Sequence, residues 1–188
     1  MAFALASTVH AAPPHVHGEA LLEITLEDKH LSMTLEAPLD TVLGFEHAPG
    51  TAEEKRKAAA LAEQLRRPGE LFAVDAAAQC VFAATGIESP VFAEHAEKHA
   101  EHAHAAAPHE DHDPAGDARH EHARQAEEAH HDLHAHFQLT CRKPEVLHGV
   151  DILLFKVFPR LVRLRVAFAG PGGQRAGEAD ARRPRFSW

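Results

Sequence analysis

The chain has no tyrosine, one tryptophan, two cysteines and two methionines among its 188 residues. With so few soft sulfur donors, and with both cysteines expected to be oxidised, Cu(I) is poorly served. There is no Gly-x-Ser-x-Gly, no glycine-rich phosphate loop and no His-Glu-x-x-His. Nothing therefore marks a nucleophile, a nucleotide cradle or a metalloprotease base, and the chain does not read as an enzyme. No run approaches the ~18 apolar residues that span a membrane. Cationic side chains are also scarce, with 19 Lys and Arg against 28 Asp and Glu and a formal charge of −9. That balance repels nucleic acid and anionic lipid and attracts cations, so no nucleic-acid partner is expected.

What is abundant is histidine. Of eighteen histidines, twelve fall in residues 94–136, together with eleven carboxylates and only three cations. This stretch carries −8, and the remainder is nearly neutral. It has little to build a core beyond alanine, and Pro108 and Pro114 interrupt its helical patches. Such a segment cannot offset its ordering entropy and is expected to be disordered. Its spacing suits chelation. His95, His99 and His102 share one face of a helix, as do His130 and His134. The pairs His102/His104, His120/His122 and His134/His136 could chelate from extended chain. His-rich tracts are a compositional metal signal, whereas a mere acidic spacer would not call for twelve imidazoles. Imidazole and carboxylate together suit Zn²⁺ first, then Ni²⁺, Co²⁺ or Cu²⁺, while Mg²⁺ and Ca²⁺ prefer all-oxygen sites.

The rest of the chain offers its own donors. His15 and His17 stand at i, i+2 before the first predicted strand, Glu46 and His47 follow a glycine in "GFEHAP", and His148 follows Cys141. A surface histidine is as often only that, and the pair His15/His17 is the better candidate.

Alternating apolar residues predict a hairpin over residues 19–27 and 31–36. A short helix or turn follows at 39–45. Thr51 and Glu54 form a capping box that opens a helix through Ala58, Leu61 and Leu65, stopped by Pro68-Gly69. Strands are expected at 71–74, 79–84 and 137–141. A helix is predicted over 144–158 with Leu147, Val150, Leu154 and Phe158 on one face. A strand over 162–168, a turn at 170–173 and a last strand ending near Phe186 complete the reading. "LSMTLEAP" with "LDTVLGF" parallels "HFQLTCRKP" with "VDILLF". The expected fold is therefore α+β: two related strand and helix halves, 15–93 and 137–188, form one body, with the insertion 94–136 between them. Residues 1–14 read as a secretory leader only partly present, with Val9-His10-Ala11 as its cleavage pattern, and predict export. In an exported protein Cys80 and Cys141 are expected to pair, closing the insertion as a loop and clamping its base; two buried thiols are the alternative.

The segments "HVHGEALLEITLEDKHLSMTLEAPLDTVLGFEHAP", "AAQC", "FQLTC" and "LLFKVFPRLVRLRVAF", in that order around a His-rich insertion, resemble the ZrgA-like family of zinc-regulated periplasmic zinc-binding proteins of Gram-negative bacteria. The resemblance implies a periplasmic protein made under zinc shortage that binds Zn²⁺ beside an ABC-type importer. It also implies that His15, His17 and His47 give ordered ligands on the body and that the insertion adds many more. Three other readings stay open: a buffer or detoxification protein, an adaptor cross-linked by metal, and a chaperone for nickel, cobalt or Cu²⁺. The oligomeric state is open too, a homodimer included.

Overall fold

The strictly alternating stretch before Asp28 and the one after Lys29 pair as antiparallel strands, β1 (Glu19–Glu27) and β2 (His30–Pro38). In this computed structural model, which describes residues 16–95 and 132–188, Asp28 turns the hairpin in the left-handed region at φ 51°. Aspartate tolerates that conformation better than most residues with a Cβ. Leu22, Ile24 and Leu26 of β1 and Leu31, Met33 and Leu35 of β2 are buried on one face, as the alternation requires.

Pro38 ends β2, and the chain enters α1 (Leu39–Leu43). A loop leads to α2 (Ala52–Leu65). There the Thr51 hydroxyl accepts from the Glu54 amide, while the Glu54 carboxylate accepts from the Thr51 amide, completing the expected capping box. Ala58, Leu61 and Leu65 are its buried positions. The short β3 (Phe72–Val74) precedes β4 (Cys80–Glu88), after which Pro90–His95 forms a 3-10 turn. Past residues 96–131 the chain continues as β5 (Asp132–Cys141), β6 (Gly149–Ile152), a short α3 (Leu154–Val157), β7 (Arg163–Gly170), β8 (Gly173–Ala179) and β9 (Arg185–Ser187).

A six-stranded sheet has the order β4-β5-β2-β1-β7-β8, and a small sheet has the order β3-β6-β9. The fold is α+β and rich in strand. Each sequence half gives three strands to the large sheet, and β5 of the second half lies between β4 and β2 of the first. The core forms between the large sheet's apolar face, the small sheet and the helices; Phe72 of β3 meets Phe137 of β5 edge-on at 5.2 Å. No helix among the described residues is long and apolar enough to cross a membrane.

Two expectations are corrected. The predicted helix over 144–158 is a 3-10 turn (Pro144–Val146), then β6, then α3. Leu147, Val150, Leu154 and Phe158 are all buried as expected. The local period, however, is that of a strand: Val150 and Ile152 are β-branched and fully buried, and the segment is the middle strand of the small sheet. Second, the insertion does not extend to His136, because β5 begins at Asp132. His134 and His136 are strand residues, so His130 and His134 are not a helical i, i+4 pair.

Cys80 and Cys141 are disulfide-bonded, and they face each other across β4 and β5. The bond stands where β4 starts and β5 ends. Residues 96–131 join the other end of the ladder, beyond the pair Glu88 and His134. At ~3.4 Å per residue the two ends are roughly 25–30 Å apart. The base of the insertion is therefore held by strand pairing, and the disulfide locks the far end. Residues 1–14, where a leader is expected, His15, and the histidines His99, His102, His104, His120, His122 and His130 lie outside the described residues. His95 closes the 3-10 turn, and its side chain lies outside them as well.

Candidate metal centre

His17 is placed by the glycine that follows it. Gly18 adopts φ 80°, and an added Cβ would stand 3.2 Å from the Arg160 carbonyl oxygen. The Gly18 amide donates to Thr41 Oγ1 at 2.9 Å, and its carbonyl accepts from the Val162 and Arg163 amides at 2.7 and 3.1 Å. The start of β1 is thus tied to α1 and to the start of β7. Gly44, the left-handed cap of α1 at φ 88°, also faces Arg160, whose Nη1 an added Cβ would meet at 3.4 Å. Both glycines are needed for backbone turns that a side chain would strain.

Residues 44–50 join α1 to α2, and they carry two neighbouring donors in different directions. Glu46 Oε1 lies 2.9 Å from His17 Nε2. On the other side of the ring, His17 Nδ1 is 3.6 Å from Asp40 Oδ2. Asp40 is in turn held by Arg160, whose Nη2 donates to its two oxygens at 3.0 and 3.3 Å. His47 repeats the pattern. Its Nδ1 is 3.0 Å from the Ala48 carbonyl oxygen, its Nε2 is 3.7 Å from Glu54 Oε1, and its ring stacks on Phe45. The second oxygen of Glu54 accepts from the Gly50 and Thr51 amides, both at 2.9 Å.

Both imidazoles therefore turn Nε2 toward a carboxylate oxygen and Nδ1 toward a fixed acceptor. An acceptor on Nδ1 favours the tautomer whose Nε2 lone pair is free, as metal-bound histidines generally require. With metal–ligand bonds of ~2.0–2.1 Å, two ligands of a tetrahedral Zn²⁺ stand roughly 3.3 Å apart. The two nitrogen–oxygen separations, 2.9 and 3.7 Å, bracket that spacing. The Thr51 amide, working against partial desolvation and joined by the Gly50 amide, the Thr51 hydroxyl and His47, lowers the pKa of Glu54 below its ordinary value of 4.5. It therefore stays an anionic donor in mild acid.

The arrangement is open. His17 and His47 are largely exposed, and Glu46 partly so. Among the described residues no three His, Cys, Asp or Glu side chains converge on one point. The reason at His17 is geometric: Asp40 and Glu46 address opposite ring nitrogens, and one ion can take only one. Each pair supplies one nitrogen and one oxygen and leaves coordination positions for water or for further imidazoles.

Of the sequence candidates, His17, Glu46 and His47 are brought to one loop. His148 is not among them. Its amide donates to Asp75 Oδ2 at 2.8 Å, and its side chain lines a pocket with Leu26, Asp28 and Trp188 beyond the far end of β1. β1 is nine residues long, so His17 and His148 are separated by roughly 30 Å and cannot share an ion. His134 and His136 sit side by side on β5 with their neighbours' acids around them. Sequence reasoning missed three residues. Glu54 was visible only as a capping residue, Asp40 carried no signal, and Arg160 lies 120 positions from the aspartate it holds.

No curated protein matches the chain. The family of ZrgA zinc uptake proteins matches it over residues 14–188, nearly its whole length, and the chain belongs to that family.

Proposed function

We propose that the protein is an exported zinc-capture protein that binds Zn²⁺ on its folded body and on the histidines of residues 94–136, and passes the ion to an ABC-type importer. Export is supported by the leader-like first residues and suits a structural disulfide. The family is one of zinc uptake, and imidazole with carboxylate is a zinc donor set. One observation carries the body site: residues 44–50 deliver Glu46 to His17 and His47 to Glu54 within one turn of chain. Two open half-sites there can take an ion quickly and release it, as delivery demands. The many weaker imidazoles, in a stretch of −8, raise the local cation concentration. No catalytic step belongs to this reading.

A calorimetric or chelator-competition titration with Zn²⁺ tests it. The full chain should show one tight site above several weaker ones, and His17→Ala with His47→Ala should remove the tight site while sparing the weak ones. Weak sites alone in the native protein would mean storage rather than delivery. Tighter binding of Ni²⁺, Co²⁺ or Cu²⁺ than Zn²⁺ would overturn the choice of cargo.

A further inference from the structure

A tetrahedral Zn²⁺ takes four ligands. His17 with Glu46 offers two, and His47 with Glu54 offers two. Among the described residues no three His, Cys, Asp or Glu side chains of one chain could hold an ion. The nearby oxygens are already committed: Asp40 to Arg160, and Glu54 Oε2 to the Gly50 and Thr51 amides. Yet the donors face outward. The His17 and His47 side chains are 66% and 64% exposed, so the missing ligands can arrive from another molecule.

The surface beside His17 is unusual for this body. Among the described residues three large apolar side chains are exposed, Val16, Val81 and Val162. Two of them flank His17. Val16 precedes it, and Val162 lies against Gly18: its amide donates to the Gly18 carbonyl oxygen at 2.7 Å, and its Cγ2 would stand 3.4 Å from a Gly18 Cβ. Exposed apolar residues scattered singly are ordinary, whereas two gathered beside open polar donors mark a contact surface.

We infer that a second copy of the chain completes these half-sites, so that Zn²⁺ is held between two copies, with one imidazole and one carboxylate from each. A two-fold contact sets the same patch against itself. Valines then meet valines, and each ion receives two nitrogens and two oxygens. The charges make the contact depend on metal. Glu46 pairs with no Lys or Arg among the described residues, only with His17, and Glu54 only with His47 and the cap. Without an ion the facing carboxylates repel, and one Zn²⁺ balances two of them. Two valines per copy also fall far short of the ~1,000 Å² that a stable interface buries, so the metal-free copies stay apart. Capture and release are thereby linked to association by mass action: the ion is closed in by four ligands in the pair and left on two when the copies part. The inference rests on zinc capture at these two pairs and names what closes them.

Analytical ultracentrifugation of the full chain, with a parallel zinc titration, tests it. One equivalent of Zn²⁺ per chain fills the tight site before the weaker histidines of residues 94–136. It should strengthen self-association on the order of 100-fold, a chelator should reverse this, and by reciprocity zinc affinity should rise with chain concentration. His17→Ala with His47→Ala should abolish the zinc-dependent association. Val16→Ser with Val162→Ser, which leaves every donor in place, should weaken association about tenfold or more while zinc affinity in dilute, monomeric chain stays as in the native protein. A chain that stays monomeric with its tight site filled would overturn the dimer and leave the capture reading standing. So would a zinc-dependent dimer that persists in the double histidine variant. A native chain with no tight site would instead take down the capture reading, and this inference with it.

Discussion

Glu54 does two jobs, and its two oxygens divide them. Oε2 caps α2 through the Gly50 and Thr51 amides, and Oε1 faces His47 Nε2. Glu54→Gln separates the roles, because glutamine also serves in a capping box. Thermal unfolding should move by only a few degrees, while zinc affinity at this pair falls at least about tenfold; an unchanged affinity would leave Glu54 a cap and nothing more. The pH dependence follows from the same contacts. The folded carboxyl has a pKa below 4.5. Its contribution to stability is therefore fully present above that ordinary value and is lost as the pH falls through the lower folded one. Between pH 7.5 and 5.5 it stays charged, so metal release in that window tracks protonation of imidazoles, which generally occurs near 6.5. The slope of log affinity against pH at the tight site should drop by about one in His47→Ala and stay the same in Glu54→Gln. Equal slopes in the two variants would exclude His47 as a ligand. Histidines and "GFEHAP" could be seen in the sequence because donor chemistry is written in residue types. Asp40 and Arg160 could not, because their meeting depends on how β1, α1 and β7 come together.

At the scale of elements, the hairpin β1–β2 and helix α2 were legible because their signals are local: strict alternation in one case, a capping box and a proline stop in the other. Residues 144–158 were not. Apolar residues there recur at spacings that suit a helix, yet Val150 and Ile152 sit on the strand between β3 and β9: Val150 pairs with Val74, 76 positions before it, and with Phe186, 36 after, and Ile152 pairs with Phe72, 80 before it. Tertiary pairing overrode local period. The disulfide was legible as a pair but not as a place. It joins residues 61 positions apart, for which chain entropy gives about 4 kcal/mol. Reduction, or Cys80→Ser with Cys141→Ser, should lower the denaturant midpoint by a corresponding amount. Because the bond lies at the end of the ladder away from the insertion, it should leave zinc stoichiometry unchanged. A native protein with two titratable thiols would refute the bond, and a fall in zinc stoichiometry on reduction would refute its separation from the metal-binding end.

At the scale of the whole molecule, β4 and β5 are adjacent antiparallel strands whose pairing runs up to Glu88 and His134. Their ends are ~4.8 Å apart, a gap that a hairpin loop of a few residues closes. The body therefore does not need residues 96–131 to bring these strands together, and the core residues nearest to it on either side, Val91 and Leu133, lie outside the replaced segment. Replacing 96–131 by a short Gly-Ser linker should leave the cooperative unfolding of the body intact. It removes nine histidines and most of the −8 of the stretch. Zinc bound per chain should fall to the body sites, and uptake should become slower and less dependent on salt, since the electrostatic funnel is gone. Affinity at His17, Glu46, His47 and Glu54 should stay within about threefold of the native value, because additivity holds for sites that share no contact. A linker variant that loses the tight site would show that the insertion supplies its missing ligands, and it would turn the body's two open half-sites into the floor of a composite centre closed by the insertion's own imidazoles.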